Sequence, residues 1–139
     1  MTGDDIIFLA SQLIAHAQYG HAGARYRSAV SRAYYGAFHL VLDFLQEFGV
    51  DIVKNHNGHV EAYRTLFQTD HPTAMRAARM LDELRGDRNI ADYHLEKPKF
   101  DNPKNAIDRV EMAAEIRGCL KQCRCEPDRT ALAEYFDRP

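Results

Sequence analysis

Residues 24–48, ARYRSAVSRAYYGAFHLVLDFLQEF, decide the fold of this chain. They predict one helix of about 25 residues, roughly 37 Å long, because they contain no proline and are followed by Gly49, which suits a left-handed stop. Two apolar stripes run side by side along this helix at helical spacing. The first comprises Val30, Tyr34, Ala37, Val41, Phe44 and Phe48, and the second Tyr35, Phe38, Leu42 and Leu45. A helix that is apolar over more than half of its circumference must be covered from two sides, so we predict that it is the central helix of an all-α protein.

A third stripe on the same helix is polar and includes Arg32 and His39. Both lie between apolar stripes, where a side chain either packs in the core or lines a groove, and the sequence leaves these two alternatives open. Gly36 costs about 1 kcal/mol of helix propensity relative to alanine. We therefore expect a neighbouring helix to approach closely at Gly36.

Capping residues mark the other helices. Thr2 is followed by Asp5 in the pattern of a capping box, and Asn102 precedes a proline at the first position of a helix. The predicted helices run to about residue 18, then over about 24–48, 58–68, 72–93 and 103–122, with a possible short sixth from residue 127. These elements predict an all-α, up-and-down bundle of four to five helices with a possible short C-terminal helix, forming a single domain over 1–139 with its core at about 3–122.

The bulk composition narrows the function classes. The chain has 139 residues, of which 45% are hydrophobic and 27% charged, as in an ordinary globular domain. A net charge of -2 gives no global attraction to nucleic acid, so any RNA contact would need a local basic patch. The sequence contains no apolar run of membrane-spanning length and no secretory signal at its start, so we expect a cytoplasmic protein that does not contact a membrane.

Potential metal ligands are few and poorly spaced. Cys119, Cys123 and Cys125 are odd in number, which favours reduced thiols, and no second ligand pair follows them. His56 and His59 lie beside loop asparagines. We interpret both groups as structural and expect neither a metal nor a cofactor. A di-iron bundle is also excluded, because it needs two Glu-x-x-His motifs and the sequence has none.

The fourth predicted helix contains an anomaly at Arg88. On an ideal helix this arginine lies in the middle of an apolar stripe, with Asp92 one turn later and Arg85 nearly in line. The stripe consists of Ala77, Leu81, Leu84, Arg88, Ala91 and Leu95. An unpaired charge there would cost several kcal/mol, so Asp92 is the expected partner. The pair either fixes helix register or presents the guanidinium to an anion such as phosphate in a groove.

Two segments, SRAYYGAFHLVLDFL at 31–45 and LRGDRNIADYH at 84–94, together resemble the HEPN family, named for domains of higher eukaryotes and prokaryotes. The resemblance covers about 1–122. It implies an up-and-down bundle of four or five helices that usually pairs about a two-fold axis, and hence a homodimer. Many members of the family are ribonucleases or parts of toxin–antitoxin and antiviral defence systems, and others accompany a small nucleotidyltransferase partner.

The resemblance also implies site residues. The family's active motif is an arginine, often followed by a polar residue, with a histidine after four to six further residues; Arg88, Asn89 and His94 match it. The commonest family spacing would place the histidine where Tyr93 stands, and Glu96 stands where a tyrosine is often found. On an ideal helix His94 lies about 120° from Arg88, so it would reach Arg88 only if the helix stopped near Tyr93.

Two functions follow from this resemblance. One is an interaction module that binds a nucleotide, an RNA phosphate or a nucleotidyltransferase-type partner. Its predicted binding residues are Arg85, Arg88, Asp92, Tyr93, Arg32 and His39. The alternative is a metal-independent endoribonuclease in which His94 transfers the proton, Arg88 stabilises charge on the phosphoryl oxygens and Asn89 orients the phosphate.

Overall fold

The computed structural model describes residues 1–53, 55 and 57–138, so the predicted role of His56 lies outside the described residues. Within them the chain forms six α-helices, two short 3₁₀ turns and no strand. The helices are α1 (Gly3–Ala15), α2 (Ala22–Glu47), α3 (Gly58–Phe67), α4 (Pro72–Tyr93), α5 (Pro103–Cys123) and α6 (Asp128–Phe136), and the turns are Ala17–Tyr19 and Pro98–Phe100. The prediction of an all-α bundle is confirmed, and the possible sixth helix is formed. The first helix is shorter than predicted, because the chain turns into a 3₁₀ turn after Ala15.

Helix α2 is the central helix, as predicted, and packs against α1, α4 and α5. Five residues of its first apolar stripe are no more than 1% exposed: Val30, Tyr34, Ala37, Val41 and Phe44. Gly49 ends the helix with a φ of 81°, the left-handed conformation that glycine adopts without steric cost. The second stripe buries Phe38, Leu42 and Leu45 in the same core. The site described below is therefore built on a rigid helix.

Helices α1 and α2 cross at a pair of glycines. A Cβ atom added to Gly36 would lie 2.6 Å from Ile7 Cγ1 and 2.9 Å from the carbonyl oxygen of Gly3, and one added to Gly3 would lie 2.5 Å from the carbonyl oxygen of Gly36. No larger residue fits either position at this separation. The close approach predicted at Gly36 is thus confirmed, and it brings the apolar side of α1 beside the polar side of α2.

Side chains fix the starts of three helices. Thr2 and Asp5 form the predicted capping box on α1, and Asn102 accepts a hydrogen bond from the backbone N–H of Asn105 on α5. His71 caps α4 through Nδ1, and its Nε2 lies 3.2 Å from Oδ1 of Asp128 at the start of α6. Since Nδ1 accepts, Nε2 carries the proton and donates it. This histidine ties the starts of α4 and α6 together.

Helix α4 presents its apolar stripe to the core. Ala77, Leu81, Leu84 and Ala91 are at most 2% exposed. Leu95 does not belong to this stripe: it is 71% exposed, because α4 ends at Tyr93 and the chain changes direction. Among the described helices, none combines the length and apolarity needed to cross a membrane.

Candidate anion-binding groove

A groove of about 410 Å³ lies between α1, α2 and α4 and contains Arg88. We call it the Arg88 groove. Its lining comes from three helices: Leu9 and Leu13 on α1; Ser28, Ser31, Arg32 and Tyr35 on α2; Arg88 and Asp92 on α4. Arg32, from the polar stripe of α2, therefore lines the same groove as the anomalous arginine of α4, and α1 supplies an apolar wall.

Arg88 pairs with Asp92, as predicted. Its Nε lies 3.1 Å from Oδ2 of Asp92, and the two side chains are 17% and 28% exposed. The same Nε is buried and has no hydrogen-bond acceptor in suitable geometry, so this contact is an ion pair without a well-aligned hydrogen bond. The short N–O distance is sufficient for an ion pair, since Coulomb attraction does not depend on the N–H angle. The pair is partly buried, and both of its side chains line the groove.

Neutral groups hold the rest of the guanidinium. Nη1 donates to Oδ1 of Asn89 at 3.0 Å, and Nη2 donates to the hydroxyls of Tyr35 at 2.5 Å and Tyr93 at 3.4 Å. The Arg88 Cζ atom lies 5.1 Å from the centre of the Tyr35 ring and 5.3 Å from that of Tyr93, within the range of a cation–π contact. These hydrogen bonds and ring contacts fix the orientation of the guanidinium.

Ser31 connects the ion pair to α2. Its Oγ donates to Oδ2 of Asp92 at 3.0 Å. Both described contacts of Asp92 thus use one carboxylate oxygen, Oδ2. Ser31 and Arg88 together fix the orientation of the carboxylate in the groove.

Arg32 and Arg85 differ in position. Arg32 is exposed and lines the Arg88 groove, and the described part of the chain gives it no ion-pair partner. The charged lining groups are then two arginines and one carboxylate, which leaves the groove with one positive charge. Arg85 does not line this groove. Burial lowers the pKa of His59, and the charge of Arg85 lowers it further.

The structure does not bring His94 to Arg88. Helix α4 ends at Tyr93, so His94 is the residue that follows the last helical turn, and its side chain is 47% exposed. Its Nδ1 lies 3.3 Å from Oε1 of Glu96, and it is not among the residues that line the groove. Of the three residues of the family motif, the structure brings Arg88 and Asn89 together and leaves His94 apart.

Arg27, which sequence reasoning missed, determines how α4 ends. It is only 8% exposed, and its Nε donates to Oδ1 of Asp101 at 2.6 Å. Its two terminal nitrogens donate to five backbone carbonyls just before and after the end of α4, those of Ile90, Ala91, His94, Leu95 and Lys97. The carbonyls of Ile90 and His94 also accept backbone hydrogen bonds, from His94 and Lys97, whereas the other three have no backbone donor among the described residues. Asp101 is exposed, and its hydrogen bond from Arg27 lowers the pKa of this carboxyl group.

Asp87, the residue before Arg88, was also missed. It is 6% exposed and faces α5, where Arg109 Nη1 lies 2.8 Å from its Oδ2. Lys99 Nζ lies 3.4 Å from its Oδ1. The sequence pattern of α4 does not indicate that Asp87 is buried and paired, because its partners come from outside its own helix.

His39 lines a different groove. That groove has a volume of about 340 Å³ and is bounded by the start of α1 and by Asp43. His39 is half-buried, and its ring packs edge-on against Phe38 at 5.8 Å. The structure therefore places Arg32 and His39 in separate grooves, although both belong to the polar stripe of α2.

His59 is not part of the groove lining and packs against the rings of Tyr34, Tyr35 and Phe38. The Tyr34 hydroxyl and His59 Nδ1 share a hydrogen bond, and the His59 ring is 4.5 Å from Phe38 and 6.4 Å from Tyr35. Burial lowers the pKa of His59 below its ordinary value of 6.5, and the positive charges of Arg85 and Arg88 lower it further. Burial also raises the pKa of Tyr34, so its hydroxyl keeps the proton and donates to a neutral His59.

The described residues contain no cluster of three or more possible metal ligands. Cys119 and Cys123 are buried and Cys125 is exposed. Burial raises the pKa of Cys123 to about 12 and that of Cys119 to a lesser extent. Both buried thiols are thus protonated and unreactive at neutral pH.

No family model, curated protein or solved structure matches this chain. Membership of the HEPN family therefore stays a prediction from the two sequence segments.

Proposed function

We propose that this chain is an HEPN-like binding module whose Arg88 groove takes a phosphate group of a nucleotide or RNA without cleaving it. The observation that carries the proposal is a guanidinium held in a defined orientation at the wall of a groove that a second arginine, Arg32, also lines. Arginine binds phosphate oxygens through paired N–H donors in one plane, and preorganisation lowers the entropic cost of that contact.

The size and charge of the groove fit such a ligand. Its volume of about 410 Å³ lies at the small end of the range for small-molecule sites, which suits one or two nucleotide units. Its lining carries one net positive charge, which matches the single negative charge of a phosphodiester. Asn89 and Tyr93 are neutral hydrogen-bond partners of Arg88, which a phosphate oxygen would displace in favour of a stronger, charge-assisted bond.

Two observations support binding rather than cleavage. A general base must lie within hydrogen-bond reach of the proton that it removes, and the side chain of His94 contacts Glu96 instead of the groove. Arg27 also donates a hydrogen bond to the backbone carbonyl of His94. This contact restrains the segment that would have to move to bring the His94 side chain into the groove. The ribonuclease is therefore the alternative.

The proposal includes a second chain, a homodimer partner or a nucleotidyltransferase-type protein. Three large apolar side chains support it: Phe8 on α1 is 65% exposed, Tyr93 is 67% exposed and Leu95 is 71% exposed. A partner that covered them would bury apolar area that water now contacts. Light scattering on the purified protein would test the homodimer; a monomer at all concentrations would refute the homodimer and leave the nucleotidyltransferase-type partner.

Fluorescence anisotropy with a labelled decauridylate tests the groove. Arg88→Gln and Arg32→Gln should each weaken binding about tenfold or more, because each loses a charge-assisted contact to phosphate. Each should also reduce the slope of log affinity against log salt concentration by about 0.7. Circular dichroism would verify that the variants are folded.

Arg129→Gln is the matched control. Arg129 is an exposed arginine on α6, 5.7 Å from the Phe48 ring, and Phe48 lies roughly 24 Å along α2 from Arg32. The Arg129→Gln variant should bind decauridylate with the affinity of the parent protein. Equal affinity of the parent, Arg88→Gln and Arg32→Gln would refute the proposed site. Cleavage of the RNA in the presence of a chelator, lost in His94→Ala, would replace the binding module with the ribonuclease.

A further inference from the structure

The Asp92 carboxylate is an unexpected component of a groove that binds phosphate. It offsets half of the positive charge of the two lining arginines and repels an incoming anion. A site for a bare anion would be stronger without it. Because Asp92 lines the groove, a ligand that also carries a hydrogen-bond donor should fit the groove better than a bare anion does.

One oxygen of this carboxylate is available for such a donor. Ser31 and Arg88 both contact Oδ2, and Oδ1 accepts no hydrogen bond from the described residues. Among those residues, the only buried side-chain nitrogen or oxygen without a partner is Arg88 Nε, so Oδ1 reaches solvent. Asp92 also lines the groove, with its side chain 28% exposed. Ser31 and Arg88 hold Oδ2, which leaves Oδ1 as a fixed acceptor beside the guanidinium.

We propose that Asp92 determines specificity in this groove: its Oδ1 accepts a hydrogen bond from a ribose 2′-hydroxyl next to the phosphate held by Arg88 and Arg32. The inference rests on the proposed function and names the sugar that it selects. A 2′-hydroxyl is the donor that distinguishes RNA from DNA, and a carboxylate is the strongest acceptor that a side chain can offer it. Ser31 acts as a positioning residue, because it anchors Oδ2 on α2.

Three decamers separate the sugar from the phosphate: decauridylate, its 2′-deoxy counterpart and its 2′-O-methyl counterpart. All three carry the same phosphodiesters and bases, but only the first has a 2′ donor. The parent protein should bind decauridylate about tenfold more tightly than either of the others, as expected for one hydrogen bond to a charged acceptor. The 2′-O-methyl oligomer excludes sugar pucker as the cause, since it retains the pucker of RNA.

Variants of the acceptor test its role. Asp92→Asn keeps the shape of the side chain and its contact to Ser31 but removes the charge. The preference for decauridylate should therefore fall to about threefold or less, and the 2′-deoxy decamer should bind the variant more tightly than it binds the parent. Ser31→Ala should also reduce the preference for decauridylate. It tests the same inference if Asp92→Asn does not fold. Asp43→Asn, an exposed carboxylate of α2 that lines the other groove, should leave the preference unchanged.

The failures of the two proposals are distinguishable. If all three decamers bind the parent equally and Arg88→Gln weakens all of them, the phosphate site stands and the inference about Asp92 is wrong. A preference for RNA that survives in both Asp92→Asn and Ser31→Ala overturns it as well. If none of the decamers binds at high micromolar concentration, the proposed function fails and the inference fails with it.

Discussion

Two arginines of this chain show how the partners of a side chain decide its role. Arg27 donates to five main-chain carbonyls and one carboxylate, which leaves it no donor for a ligand. Arg88 lines a groove, has one ion pair and donates its hydrogen bonds to neutral side chains. The donors of the first arginine are all used within the fold, whereas the proposed function has the second exchange neutral partners for an anion.

His59 should make the stability of the protein depend on pH. In the folded chain burial and the nearby arginines keep the pKa of His59 below 6.5, so the unfolded chain takes up a proton first as the pH falls. The stabilisation is complete above pH 6.5 and decreases as the pH falls from there toward the lower pKa of the folded state. Urea unfolding at pH 7.5 and 5.5 should therefore show a smaller difference in the free energy of unfolding for His59→Gln than for the parent. Equal differences in the two proteins would contradict this assignment.

At the scale of the helix, the end of α4 depends on a residue from α2. Arg27→Met leaves the carbonyls of Ala91, Leu95 and Lys97 at the end of α4 without their donor, so we expect a loss of about 3 kcal/mol in the free energy of unfolding. Denaturant titration measures the loss. Amide exchange should quicken in 90–97 more than in the rest of α4.

Arg25→Met is the control for Arg27→Met. Arg25 is on the same helix, is half-buried and donates one side-chain hydrogen bond, to the Gly20 carbonyl at 2.8 Å. Its replacement should cost about 1 kcal/mol. Similar losses in the two variants would show that Arg27 has no special role at the end of α4.

The crossing of α1 and α2 gives a second prediction at this scale. Gly36→Ala should destabilise the protein by about 1–3 kcal/mol, because the new methyl group meets Ile7 and the Gly3 backbone and α1 must move away. Gly86→Ala should instead stabilise it by up to about 1 kcal/mol, since a Cβ there meets nothing within 4 Å and alanine favours the helix. Thermal unfolding of both variants provides the comparison. A stabilised Gly36→Ala would mean that the two helices are further apart than described.

At the scale of the whole molecule, burial of the α5 cysteines tests the packing of the bundle. Cys119 and Cys123 face the core, and Cys125 is exposed beyond the end of α5. A thiol reagent at neutral pH should modify one cysteine per native chain quickly and three per chain in denaturant. Cys125→Ser should abolish the fast reaction. Fast reaction at two or more cysteines would contradict the packing of α5 described here.

Interactions within one helix could be predicted from the sequence, because helix geometry fixes which side chains meet. The capping box of Thr2 and Asp5 and the ion pair of Arg88 and Asp92 span three and four residues, and both are formed. Arg27 meets Asp101 across 74 residues, and nothing in the local pattern of either segment indicates that contact. The prediction that His94 belongs to the site rests on its spacing in a family motif. The position of its side chain depends instead on where α4 ends.

The most direct test of the central claim is the NMR signal of the arginine Nε–H groups on titration with decauridylate. The signals of Arg88 and Arg32, assigned by their loss in Arg88→Gln and Arg32→Gln, should shift together as the phosphate binds. The signal of Arg129 should stay unchanged. Binding that shifts other arginine signals and leaves those of Arg88 and Arg32 in place would contradict the account.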